Sequence, residues 1–223
     1  MVLAEQLYYE TKLAVNDLST DLQLTKANFV FLYNKQAEKW LKEKIEIGKK
    51  NNKINDAQFW LVDKANLTQH RKTQDTVEYN LPEAYFEFVD SFSLAKNQTC
   101  STEMYNYLIK PSNKGLLFDS VFDKPSFEWE EGLCYLTSNK LAVYYTDFEL
   151  VKSYLSYYKK MDTLDLEGYT RFDGSPSHVK NVTYQKHIAD EICDLVVREV
   201  HGMYRNQNGF QISNLKVQEN REL

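Results

Sequence analysis

Ser126-Phe127-Glu128-Trp129-Glu130 and Leu141-Ala142-Val143-Tyr144-Tyr145 flank the turn-forming run Thr137-Ser138-Asn139-Lys140. Phe127 and Trp129 alternate with glutamates, and Leu141, Val143 and Tyr145 follow the same period of two. That period belongs to strands with one face in a core, so the pair predicts an antiparallel hairpin. Upstream, residues 76–81 alternate and stop at Pro82, which predicts a short strand ending in a turn, and Phe86, Phe88 and Phe92 continue the period. Downstream, residues 148–158 are rich in aromatic and β-branched side chains and predict a further strand. Lys114-Gly115-Leu116-Leu117-Phe118, between the strands, is compatible with a short helix.

Helical periods bracket this centre. Leu3, Leu7, Ala14 and Leu18 predict an amphipathic helix over about residues 3–19. Thr25 is placed to cap a second helix carrying Phe29, Leu32, Tyr33, Gln36, Ala37, Trp40, Leu41 and Ile45, with Gly48 as its stop. After the turn signal Asp173-Gly174-Ser175-Pro176-Ser177, residues Ile188, Ile192, Leu195, Val196, Val200 and Met203 predict a helix from about 183 to 206. Residues 206–223 are polar and read as an extended tail. The fold class is α+β. Residues 1–205 form one domain, with a helical bundle from the N- and C-terminal helices and a central antiparallel strand-rich region, and 206–223 form the extended C-terminal tail. Trp40, Leu41, Ile192 and Leu195 are expected to be buried together.

Composition bounds the function. The 223 residues carry 27 Lys+Arg against 32 Asp+Glu, a net charge of −5. That balance argues against a general grip on nucleic acid. Only 7 Gly and 4 Pro are present, which leaves no glycine-rich phosphate loop or proline-rich linker. No apolar run is long enough to cross a membrane. Cys100, Cys134 and Cys193 are odd in number and far apart, so they read as reduced thiols and not as metal ligands or a disulfide framework. His187 and His201 share a helix but lie about 21 Å apart along it, too far for one metal. His70 and His178 have no fixed partner. None of the catalytic or nucleotide-binding motifs with a defined mechanism occurs, and no cofactor is called for. Asp162, Asp165 and Glu167 form an acidic cluster that could do acid–base work or hold magnesium, or be a solvated surface. Lys49-Lys50-Asn51-Asn52-Lys53 reads as a solvated helix end, with contact to an acidic partner as the alternative.

The distinctive feature is the aromatic content, with 16 Tyr, 12 Phe and 3 Trp. Tyr8 and Tyr9, Tyr144 and Tyr145, and Tyr157 and Tyr158 are adjacent pairs. One ring of each pair is expected to face outward, where tyrosines favour protein contacts. Together with Asn206, Phe210 and Leu215 of the tail, these six are the candidate subunit or partner contacts.

The order of several short stretches adds a resemblance. Asn34-Lys35-Gln36-Ala37-Glu38-Lys39-Trp40 is followed by Leu81-Pro82-Glu83-Ala84-Tyr85-Phe86, then by Phe122-Asp123-Lys124-Pro125-Ser126-Phe127-Glu128-Trp129-Glu130 and Val143-Tyr144-Tyr145-Thr146-Asp147-Phe148. Tyr157-Tyr158-Lys159-Lys160, Leu166-Glu167-Gly168-Tyr169 and Ile188-Ala189-Asp190-Glu191-Ile192 complete the series. Over residues 1–205 this layout resembles the ring or adaptor proteins in the head–tail connectors of short-tailed bacteriophages, especially crAss-like phages. The resemblance implies a structural subunit, without catalytic residues, that forms a ring, typically twelve-fold, with copies of itself. It implies portal and other connector or tail proteins as partners, and a channel through which genomic DNA passes without specific binding. The implied location is the virion, and the host cytoplasm during assembly. Two other readings stand beside it: another virion tail component, and a non-enzymatic tyrosine-rich module that binds a ligand such as a glycan.

Overall fold

The computed structural model describes residues 2–18, 23–51, 61–98, 100–120, 123–171, 173–203 and 207–222. Helices α1 (Ala4–Leu18) and α2 (Lys26–Asn51) lead into strands β1 (Val62–Asn66), β2 (Gln69–Lys72), β3 (Thr76–Asn80), β4 (Tyr85–Asn97) and β5 (Cys100–Leu108). Helix α3 (Lys114–Asp119), β6 (Glu131–Thr137), β7 (Lys140–Tyr144), β8 (Glu149–Lys159), α4 (Lys186–Met203) and α5 (Gln207–Glu222) follow. The α+β class holds. The chain divides into two compact units, a discontinuous helical one from residues 1–60 and 161–223 and a central one from 61–160.

The central unit is one eight-stranded sheet in the order β1-β8-β4-β5-β6-β7-β3-β2. Neighbours are antiparallel except β5 and β6, which run parallel with Tyr105 opposite Glu131 and Leu108 opposite Cys134. This corrects the expectation of an antiparallel centre. The connection from 109 to 130 carries α3 and is long enough for the crossover that a parallel pair requires. A hairpin with the expected turn and second strand is present, β6 and β7 turning at Ser138-Asn139, but its first strand is Glu131–Thr137 and not the expected 126–130.

The two edge strands, β1 and β2, are joined only by Leu67 and Thr68. So short a link reaches no more than about 11 Å, and it forces the sheet to curl until its edges meet there. Leu67 donates its N–H to the Ser153 carbonyl on β8, while Thr68 accepts from the Asn80 N–H on β3. Consecutive residues thus serve opposite edges. The curled sheet encloses a core of Leu67, Val77, Tyr79, Ala95, Met104, Cys134, Leu141, Val143, Leu155 and Tyr157.

Part of this interior is polar. Asn106 Nδ2 donates to Ser91 Oγ at 3.0 Å and Ser93 Oγ at 2.8 Å, and Ser93 Oγ lies 2.8 Å from Ser153 Oγ. All four side chains are buried, and Tyr79 on β3 shares the interior, where burial raises its pKa. The bonds hold Asn106 in place with Oδ1 against Gly132, where a Cβ would sit 2.4 Å away.

Several expectations are corrected here. Residues 126–130 are a turn and not a strand: Glu130 takes φ 57° and Ser126 pairs with Glu131 to close it. Phe127 packs against the core and Trp129 stays exposed, so they do not share a face. Register shifts after Tyr85 and Phe88 break the period in β4, turning Phe92 outward onto Tyr154 with ring centroids 5.1 Å apart.

In the helical unit, α4 packs on α1, α2 and α5. Trp40, Leu41, Ile192 and Leu195 are all buried, as the spacing predicts. Trp40 Nε1 donates to Glu191 Oε2 at 2.7 Å, locking α2 to α4. Thr25 caps α2 by accepting the Asn28 N–H at 3.2 Å, but Gly48 does not stop the helix, which runs on to Asn51 with Lys49 and Lys50 at its negative dipole end. The extended tail is also corrected, because residues 207–222 form α5. Its buried face includes Ser213 and Val217, spaced i, i+4. A small polar residue in that stripe hides the apolar period.

Gly132→Ala is expected to lower stability by about 1–3 kcal/mol, since Asn106 cannot yield without giving up its serine partners. Urea unfolding measures this, and a neutral result would mean the interior network relaxes freely. Leu195→Ala in the helical unit is expected to cost about 2–5 kcal/mol by the same measurement.

Candidate functional site

The structure scatters the six tyrosines, and only Tyr9 is exposed. Tyr8 is buried and donates its hydroxyl to the Leu24 carbonyl at 3.0 Å. Tyr144 faces outward from β7 but is covered by α3, with Phe118 at 5.1 Å and Tyr135 at 5.2 Å between ring centroids. Lys114 fixes that helix by pairing with Asp75 and lying over the Phe118 and Tyr144 rings. Burial first, and the neighbouring Tyr135 and Asp75, push the Tyr144 phenol up to about 12. Tyr145 donates to the Thr73 carbonyl at 2.6 Å. Tyr157 packs on Tyr85 inside the sheet, and Tyr158 is buried as well. The Tyr8 and Tyr9 pair therefore splits into a buried and an exposed ring as expected, but the two strand pairs present no exposed ring: α3 covers Tyr144, Tyr145 packs half-buried against the core, and Tyr157 and Tyr158 are both buried. Asn206 lies outside the described residues, as does the side chain of Phe210. Leu215 is 60% exposed on α5.

The acidic cluster is a framework. Asp165 is buried, and its Oδ1 accepts the Tyr169 hydroxyl at 2.6 Å and the Leu166 N–H at 2.9 Å. Its Oδ2 pairs with Arg171. Burial raises its pKa, but the bonds from Tyr169, Arg171 and the backbone amides of Leu166 and His178 outweigh this and hold it below the ordinary 3.8. Asp162 Oδ2 accepts the Thr183 N–H at 3.0 Å, tying down the segment before α4. The Glu167 carbonyl accepts from Lys26 Nζ at 3.0 Å. Among the described residues no three potential ligands gather for a metal.

The other candidates are dispersed as well. His70, His178 and His187 are exposed, while His201 is buried, which lowers its pKa. Cys134 and Cys193 are buried thiols pushed up to about 12 by that burial, and Cys100 is exposed. Lys42 pairs with Glu38 and Lys44 with Glu191, within the helical unit.

What the structure does gather is exposed apolar surface. The buried stripe of α1 is Ala4, Leu7, Tyr8, Thr11 and Val15, which turns Tyr9 and Leu13 outward as i, i+4 neighbours, 55% and 63% exposed. On α5, burial of Ser213 and Val217 turns Ile212 and Leu215 outward, three residues apart. Scattered single apolar residues on a surface are ordinary; two neighbouring pairs on different helices are a pattern. In the central unit, Tyr105 and Tyr107 on β5 and Trp129 in the turn before β6 are exposed. Sequence reasoning passed over Tyr105 and Tyr107 together with β5, although their alternation was visible, and it placed Trp129 on the inner face of a strand that the structure replaces with a turn. No protein-family model matches this chain, and no curated protein matches it.

Asp165→Asn is expected to cost about 1–3 kcal/mol at neutral pH. A depressed carboxylate stabilises fully above its unfolded value and loses the contribution as pH falls through the folded one. The gap between wild type and variant should therefore close as pH drops through 3.8 and below. Denaturant melts at pH 7 and in acid test this, and a gap independent of pH would contradict it.

Proposed function

We propose that this chain is a structural subunit of a ring in the head–tail connector of a short-tailed bacteriophage, the role implied by its sequence layout. Copies of the chain would associate through their helical units, with portal and tail proteins above and below and the genome passing through the channel. The observation that carries the reading is the presence of two different apolar pairs on one helical unit, Tyr9 with Leu13 and Ile212 with Leu215. Two unlike patches suit head-to-tail association, which closes into a ring when the rotation closes. A two-fold dimer would need only one self-complementary patch. The bundle-like packing of α1, α2 and α5 around α4 gives both pairs a rigid base, which lowers the ordering cost of association. The acidic net charge is compatible with a channel that lets a polyanion slide, and the lumen face is expected to carry more Asp and Glu than Lys and Arg.

Leu13→Asp and Leu215→Asp each remove one patch and leave the other intact. Each variant alone is expected to stay monomeric in sedimentation runs where the wild type associates. Mixed, the two variants should stop at a one-to-one dimer, since one good patch of each can still meet. Association of either single variant to the wild-type size would contradict head-to-tail assembly through these patches.

A further inference from the structure

The outer face of β5 and β6 carries a second surface, independent of the helical patches. Tyr105 and Tyr107 project from β5 with rings 4.9 Å apart, edge to face, each 47% exposed. The turn holding Trp129, itself 70% exposed, is anchored beside them. The Glu130 carbonyl accepts the Tyr105 N–H at 2.9 Å, and Glu130 Oε1 accepts the Thr102 hydroxyl at 2.6 Å. Tyr107 also borders a cavity of about 290 Å³, lined further by Ile109, Leu117, Asp123, Lys124 and Glu131. That volume is at the lower end for a small-molecule site and suits a single ring-sized group.

The chemistry of the lining narrows the occupant. Asp123 and Glu131 are acceptors, Lys124 is a donor, and the Tyr107 hydroxyl, which reaches Glu131 Oε1 at 3.4 Å, does either. A ligand satisfying both kinds needs groups that donate and accept, as sugar hydroxyls do. Exposed glutamates accompany the rings, Glu103 two residues before Tyr105 on β5 and Glu128 and Glu130 on either side of Trp129 in the turn. This negative charge repels a phosphate backbone, so base stacking of a nucleic acid strand is disfavoured. A purely cationic segment would meet Lys124 in the cavity. The negative faces of the exposed rings attract the polarised C–H groups of a sugar ring.

We propose that this face binds a neutral oligosaccharide, with one sugar ring in the cavity against Tyr107 and the next along Tyr105 and Trp129. The direct test titrates the full chain with neutral hexasaccharides of glucose (α- and β-linked), mannose, galactose and N-acetylglucosamine, following Trp fluorescence and heat. At least one should bind saturably, with an affinity unchanged in about 0.5 M salt because no net charge is screened. Tyr107→Ala and Glu131→Gln should each weaken that binding about tenfold or more. Tyr107→Phe, which keeps the ring and the fold, should weaken it less than Tyr107→Ala. Absence of binding across the panel would overturn the proposal, as would binding indifferent to all three substitutions. A lysine-containing peptide that binds here in low salt and is released by high salt, with the sugars inert, would reassign the face to protein docking.

Discussion

The link of two residues between β1 and β2 is the constraint on which the central unit depends. Because Leu67 and Thr68 bond to β8 and β3, at opposite ends of the strand order, the sheet has to curl, and curling sets what each side chain meets. Alternate residues enter a closed interior, and a polar residue there must find a partner or remain unsatisfied at a cost of about 1–3 kcal/mol. Ser91, Ser93, Ser153 and the amide nitrogen of Asn106 solve this among themselves, while Asn106 Oδ1 lies buried against Gly132 without a hydrogen-bond partner. The same closure encloses Tyr79 in the core and requires glycine at position 132.

With its interior filled, the central unit presents its chemistry on the outside. There, α3 covers Tyr144 at one place, and Tyr105, Tyr107 and Trp129 remain uncovered at another. The helical unit follows the same logic on a period of 3.6. Its buried stripes consume Tyr8, Trp40 and the apolar face of α4, and they leave two separate apolar pairs outward. The apolar surface that remains exposed is what packing leaves over, and it lies apart from the buried acids, thiols and tyrosines that first attract notice. Asp165 illustrates this: its depressed pKa comes from a loop framework of Tyr169, Arg171 and backbone amides, and not from a reaction centre.

The sequence was legible where one physical signal dominated. Ile188, Ile192, Leu195, Val196 and Val200 mark α4 unambiguously, and Thr25 marks the start of α2. The hairpin of β6 and β7 follows from its turn and the alternation after it. Legibility failed where the interior is polar or the period is interrupted. Strand β5 puts Met104 and Asn106 inward, so its apolar signal lies in Tyr105 and Tyr107 on the wrong face. The short edge strands Val62–Asn66 and Gln69–Lys72 are mostly charged or polar and carry almost no alternation. Helix α5 escaped notice because Ser213 occupies a buried position. The two tyrosine pairs on strands misled for a related reason, unlike Tyr8 and Tyr9 on α1: adjacency fixes opposite directions on a strand, but not which direction is covered.

The central claim is that copies of this chain close head to tail through their helical units. Native mass spectrometry of the purified protein over rising concentration tests it most directly. The account predicts species at successive multiples of the 26.3 kDa chain, ending in one dominant closed oligomer beyond which nothing larger accumulates. A protein that remains monomeric at every concentration, or that stops at a two-fold dimer, would contradict it.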